Sequence, residues 1–261
     1  MEGSGRWICC RQQAGPLVKE SRAVRPRMCR TDGPFERAEK NRILRPPRDS
    51  AVCRTRIDRL ELLLALFGFE GWSYALTFDD AHLPENFDGV RKRWRALLYR
   101  MKAYHGGVPD YVYLIEGKHG DHRYHLHLTV RYCDFPPLVM ETLWQDGYIV
   151  ESQPLLLGVF DTYRRTARYY CKERSDGVVI PIDARTWVAS QSLTQKLPPP
   201  MYFRAECGRI DIPADNRVCG RFTVDNTWGH YHYGWYIEQD PKHPTVFEGR
   251  RVPHQHGAGR Y

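Results

Sequence analysis

The chain has little that would take it into or across a membrane. No apolar run approaches the ~20 residues that a spanning helix needs, and the longest, LELLLALFGF at 60–69, falls well short. No basic-then-apolar leader opens the sequence, so secretion is not expected and a cytoplasmic location is. The eight cysteines include no CxxC pair, and in an unsecreted chain such thiols are expected to be reduced. Cys207 and Cys219, followed by His230 and His232, fit no zinc template well. Internal repeats are absent, which excludes solenoid and propeller architectures.

What is present is an ordinary globular composition, 42% hydrophobic and 27% charged, in 261 residues. That suits one large domain, or one domain with appended segments. The net charge of +8 is unevenly placed. Residues 1–56 hold fourteen Arg/Lys against six Asp/Glu, while the 25 basic and 25 acidic residues of the remainder cancel. Residues 1–53 therefore read as a basic, partly irregular N-terminal arm, able to bind a polyanion by counterion release or simply to remain solvated.

Periodicity defines the next segment. RTRIDRLELLLALFG (54–68) has leucines at helical spacing and ends in glycine. WSYALTF (72–78) reads as a strand. VRKRWRALLYRMKAY (90–104) gathers Val90, Trp94, Leu97, Leu98 and Met101 on one side of a helix, with Asp88 expected near its start as a cap. DYVYLIE (110–116) and YHLHLTV (124–130) read as strands joined by a loop, hence an antiparallel pair. A short helix and a strand are expected within 142–153. A helix is expected over 159–173, capped by Asp161 or Thr162, and a further strand over 178–183. Residues 191–261 form an aromatic-rich extension, with 222–238 β-like. The order predicts an α+β fold: an antiparallel β-sheet of about five strands with packed helices.

The histidines of HLH carry the first chemical suggestion. Alternate strand residues share a face, so His125, His127 and Thr129 point one way, and Tyr124, Leu126, Leu128 and Val130 anchor the other. Such a pair is either a solvated strand face or two ligands converging on a cation. Glu116, ending the preceding strand, can join them, and His119 or His122 could substitute for it. Two imidazoles and a carboxylate suit Mn²⁺, and Mg²⁺ less well. The second suggestion is YYCK. On a helix Tyr169 and Lys172 share a face, and an ammonium near a phenol favours the phenolate. The alternative is an aromatic core residue, a role that suits Tyr170, about 100° away around the helix.

Three motifs in order, ALTFD (75–79), HLH (125–127) with Glu116 before it, and YYCKE (169–173), resemble those of the His-hydrophobe-His (HUH) endonucleases, most closely the rolling-circle replication initiators of small phages and plasmids. The resemblance covers about residues 54–185, and implies an endonuclease domain over 54–190. It implies that His125, His127 and Glu116 hold one divalent ion, Mn²⁺ or Mg²⁺. Tyr169 would attack a phosphodiester of single-stranded origin DNA, with Lys172 assisting. The product would be a 5′-phosphotyrosine and a 3′-hydroxyl that primes a host DNA polymerase in a bacterial cytoplasm. Thr77 and Phe78 would support the metal strand or touch DNA. The chain lacks GxxxxGK[ST], so unwinding would fall to a host helicase, and it has one motif tyrosine rather than a spaced pair. Three alternatives stand beside this reading. One is a transposase with the same chemistry. Another is a metal-independent two-histidine phosphoesterase, from His127-Leu-Thr129 and His243-Pro-Thr245. The third is a DNA-binding protein without catalysis.

Overall fold

In a computed structural model the described residues are 7–24, 48–117, 123–155, 162–171, 187–226 and 229–238. The protein is α+β, with two antiparallel five-stranded sheets. The first sheet contains β3 (Gly71–Phe78), β4 (Val112–Glu116), β5 (His125–Arg131), β6 (Gly147–Pro154) and β7 (Val188–Ala189) in the order β6-β3-β5-β4-β7. Four of its strands are those expected, at 72–78, 110–116, 124–130 and within 142–153; the short β7 was not expected. The expected strand at 178–183 and the possible cap Asp161 lie outside the described residues.

Strand alternation sorts the faces of this sheet. Tyr74, Leu76 and Phe78 of β3, Ile115 of β4, and Leu126, Leu128 and Val130 of β5 are buried in one cluster. The helix α2 (Phe87–His105) covers them with Phe87, Val90, Trp94, Leu97 and Met101, spaced to make one apolar stripe. Its cap is not Asp88. Asn86 is the N-cap, extended in backbone, and its Oδ1 accepts a hydrogen bond from the Gly89 amide at 2.9 Å. Asp88 lies inside the first turn, where its charge meets the positive helix end. The short α3 (Pro137–Leu143) adds Met140 and Leu143 to the same cluster.

The opposite face of the sheet carries Val112 and Leu114, packed on α1 (Arg48–Ala65) and α4 (Thr162–Tyr170). Residues Leu60, Leu62, Leu63, Leu64 and Ala65 of α1 are all buried. The last turns of α1 are apolar nearly all round and need cover on more than one side, and a second sheet supplies it. That sheet runs β8-β1-β2-β10-β9, from β1 (Trp7–Ala14), β2 (Leu17–Val24), β8 (Met201–Ala205), β9 (Arg217–Asn226) and β10 (Gly229–Ile237). Ala14, Leu17 and Ile237 complete the core around α1. The short α5 (Gln191–Gln195) contributes Leu193.

The second sheet corrects the expectation of an irregular arm. Residues 7–24 are a hairpin, turned at Gly15 with φ +52°. A Cβ on Gly15 would fall 2.1 Å from the Ala65 carbonyl oxygen, so both the positive φ and the close approach to α1 require glycine. The hairpin carries no clean apolar–polar alternation, with apolar neighbours such as Cys9–Cys10 and Leu17–Val18 side by side. Its stability comes from β8 and β10, nearly two hundred positions away in sequence.

One ionic cluster joins sheet and helices. Lys19 Nζ of β2 lies 2.8 Å from Asp58 and 2.7 Å from Glu61 of α1, and Arg164 of α4 reaches the same two carboxylates at 2.8 and 2.9 Å. Burial opposes ionisation of Asp58, but Lys19 and Arg164 outweigh it and hold its pKa below the ordinary value. A carboxyl with a depressed folded pKa stabilises the fold above its unfolded pKa and loses that contribution as pH falls through the folded value. The junction of α1, α4 and the second sheet is therefore expected to loosen below about pH 4. Hydrogen exchange on β2 and α4 amides should accelerate there before those of α2, and uniform acceleration would refute the assignment.

Among the described residues no helix is long and apolar enough to cross a membrane.

Candidate active site

The antiparallel register of β4 and β5 sets Glu116 opposite His125 and Leu114 opposite His127. All four lie on the face toward α4. Glu116 and His127 meet directly, Oε2 to Nε2 at 2.6 Å, with both side chains largely buried. The contact is that of a charge-assisted hydrogen bond.

Helix α4 delivers the phenol. Tyr163, Ala167 and Tyr170 form its buried stripe. The Tyr163 hydroxyl donates to the Gly68 carbonyl at 2.7 Å. The Tyr170 hydroxyl lies 3.0 Å from Thr129 Oγ1 beneath the sheet face. These anchors leave Tyr169 on the flank, 47% exposed. Its hydroxyl donates to Glu116, 3.1 Å from Oε2 and 3.4 Å from Oε1. Its ring meets the His127 imidazole edge-on at a centroid distance of 5.4 Å. A neighbouring cleft of about 330 Å³ is lined by Ser73, His127, Glu151, Arg165, Tyr169 and Tyr170, among others.

Electrostatics keep the phenol neutral in this arrangement. Partial burial pushes the Tyr169 pKa up, and the adjacent Glu116 carboxylate pushes it further. Tyr170 is also raised, to about 12, by burial that its bonds to Thr129 and Ser73 only partly offset.

The sequence-predicted residues thus divide. Glu116, His127 and Tyr169 come together. His125 stands across from Glu116 in the same register, yet among the described residues no three His, Cys, Asp or Glu side chains converge as a ready metal site. Lys172, His119, His122 and His243 lie outside the described residues. Phe78 is buried on the α2 face, its ring 5.2 Å from Trp144. It holds β3 in place and presents no surface to DNA. Thr77 pairs with His125 on the site face, buried, with a hydroxyl that has no hydrogen-bond partner. An orphan hydroxyl of this kind costs stability. Thr77→Val is expected to raise the melting temperature by a few degrees, about 1 kcal/mol, in a thermal scan. An unchanged or lowered value would mean that the hydroxyl has a partner in solution.

Arg165 and Glu151 were not foreseen. Arg165 stands four residues before Tyr169, the spacing of a shared helix face, and that signal was available. Glu151 reaches the cleft only because β6 pairs with β3, Glu151 opposite Ala75, and nothing local marks it.

The donor types are those a divalent cation takes: Glu116 and His127 touch, and His125 stands across the strand pair from Glu116, although the three do not converge. The Cys207, Cys219, His230 and His232 set offers no comparable convergence: His230 is bonded to Asp225 at 2.8 Å and His232 packs edge-on against Trp7.

No protein-family model, curated protein or solved structure matches the chain.

Proposed function

We propose that this protein is a single-strand DNA nicking and rejoining endonuclease that initiates rolling-circle replication, with Tyr169 as nucleophile. The observation that carries the reading is the convergence of a half-exposed phenol, a carboxylate and an imidazole. Tyr169 hydrogen-bonds Glu116 at 3.1 Å, and Glu116 contacts His127 at 2.6 Å.

The residues divide the work as follows. Glu116 orients the phenol through the hydrogen bond it accepts. Tyr169 Oη forms a bond to phosphorus, and the bond from phosphorus to the 3′-oxygen breaks. The phenolic proton leaves to solvent, and the departing oxygen takes a proton from solvent to become a 3′-hydroxyl. The phosphotyrosine conserves the phosphodiester, so a later 3′-hydroxyl can displace Tyr169 and reseal the strand. Arg165, in the cleft beside Tyr169, supplies positive charge for the phosphate oxygens. Glu116, His127 and His125 would hold one divalent ion, Mn²⁺ or Mg²⁺, which when bound neutralises the carboxylate and polarises a phosphate oxygen. A host polymerase extending the 3′-hydroxyl, and a host helicase, follow as partners in a bacterial cytoplasm.

The test is incubation of the full chain with a random-sequence pool of labelled single-stranded DNA and Mn²⁺, followed by a denaturing gel. The expected result is a protein–DNA adduct that survives denaturant, is absent in chelator, and maps by mass spectrometry to Tyr169. Cleavage that persists in chelator without an adduct would instead identify a two-histidine phosphoesterase. Binding with neither cleavage nor adduct would leave a DNA-binding protein.

A further inference from the structure

The second sheet turns one face toward α1 and α4, but the helices cover only part of it. Near the helices this face carries Leu17, Lys19, Trp235 and Ile237, all engaged with α1 or α4. Further along, the same face is open. Strand pairing aligns one row across all five strands: Tyr202, Cys10, Ser21, Tyr233 and Phe222. The next row reads Arg204, Ile8, Ala23, Tyr231 and Val224. Cys10, Ser21 and Ala23 thus give β1 and β2 a low floor beside Ile8, with the Tyr202 ring on one edge strand and the Tyr231, Tyr233 and Phe222 rings on β10 and β9, the edge strands lying roughly 19 Å apart at normal strand spacing. Tyr202 is 71% exposed, Ile8 54% and Phe222 47%. An exposed apolar stretch of this extent marks a contact surface.

We propose that this trough binds single-stranded DNA by base stacking, as the platform that feeds the nicking site. The reading rests on the proposed function for the identity of the strand. Three observations favour DNA over a protein partner. Flat rings dominate the walls, and every base offers a π-face to them. Phe222 and Tyr233 are already parallel at 4.5 Å, with Trp235 edge-on to Phe222 at 6.0 Å, a ladder that an added base would extend. The ladder also ends at the nucleophile's helix, because Arg164 of α4 lies over the Trp235 ring at 5.7 Å. Arg164 and Tyr169 are separated by about 7.5 Å of helix rise. Arg204 in the trough, and the exposed Arg165 and Arg168 of α4, provide positive charge along that course for phosphates.

The experiment is fluorescence anisotropy with a labelled 20-nucleotide single strand, in chelator, on the full chain carrying Tyr169→Phe. No covalent step can then contribute. Tyr202→Leu and Phe222→Leu keep apolar bulk and remove the stacking ring, and circular dichroism verifies the fold of each. Each is expected to weaken binding about five-fold or more. Arg204→Ala is expected to reduce the slope of log affinity against log salt by about 0.7. Affinities within two-fold of the parent would overturn the proposal. So would a change of oligomeric state in sedimentation, which would identify the face as a contact between two copies. The adduct assay reports separately. Weakened binding without any adduct would retain the platform and reject nicking, whereas an adduct with unaltered binding would do the reverse.

Discussion

Tyr169→Phe is expected to eliminate the covalent protein–DNA adduct, with nicking reduced on the order of 10⁴-fold or more, as losses of an enzymic nucleophile are. The fold should barely respond. The Tyr169 ring is half-exposed and its hydroxyl bonds a partly solvated carboxylate, so the melting temperature should move by no more than a degree or two. Tyr170→Phe should do the opposite. Its hydroxyl is buried against Thr129, so removal leaves that group short of a partner and costs about 1 kcal/mol, while adduct formation persists. Quantifying the adduct on denaturing gels beside thermal melts separates the two tyrosines. An adduct retained in the Tyr169 variant and lost in the Tyr170 variant would place the nucleophile on the wrong side of the helix and remove the basis of the proposed mechanism.

The second large effect is one of stability. Glu61 is a fully buried carboxylate facing both Lys19 and Arg164. Glu61→Leu strands two cations with only Asp58 to share, and Asp58 is half-exposed. Removing one partner of a buried ion cluster costs about 3 kcal/mol, which for a chain of this size lowers the melting temperature by about 6–12 °C. Exchanging Lys19, Glu61 and Arg164 together for apolar side chains of similar volume, with half-exposed Asp58 left to solvent, should recover most of that loss, because the buried charges themselves are expensive. The combined Lys19→Met, Glu61→Leu, Arg164→Met variant is therefore expected to melt above Glu61→Leu alone. If the single variant melts like the parent, the cluster is not what fastens α4 to the second sheet. If the triple variant melts lower than the single one, the charged cluster is net stabilising and its desolvation cost is outweighed. Because α4 also carries Tyr169, the single variant should lose adduct yield in proportion to the unfolded fraction and no further.

Much of the first sheet was legible because its signals are local. Alternation at 124–130 identified both faces of β5, and the structure buries Leu126, Leu128 and Val130 as that alternation requires. The stripe Val90, Trp94, Leu97, Met101 identified the buried face of α2. Cap identity was less secure: Asn86 and Asp88 are both good capping residues two positions apart, and backbone geometry at Asn86 decided between them.

Chain order and residue type by themselves determined the local elements, the inward and outward faces of β5, and a short roster of chemically capable side chains: Glu116, His125, His127, Tyr169. Only the tertiary structure decided that residues 7–24 are strands, since their partners are β8 and β10, far away along the chain. It alone set Tyr169 Oη beside Glu116 rather than in the core, through the anchoring of Tyr163 and Tyr170 on either side of it. It alone brought Glu151 to the cleft and aligned Tyr202 with Phe222 across five strands. The physical reason is the range of the forces involved. Periodicity records what each segment must hide, whereas pairing partners and convergent sites depend on which distant surface does the hiding.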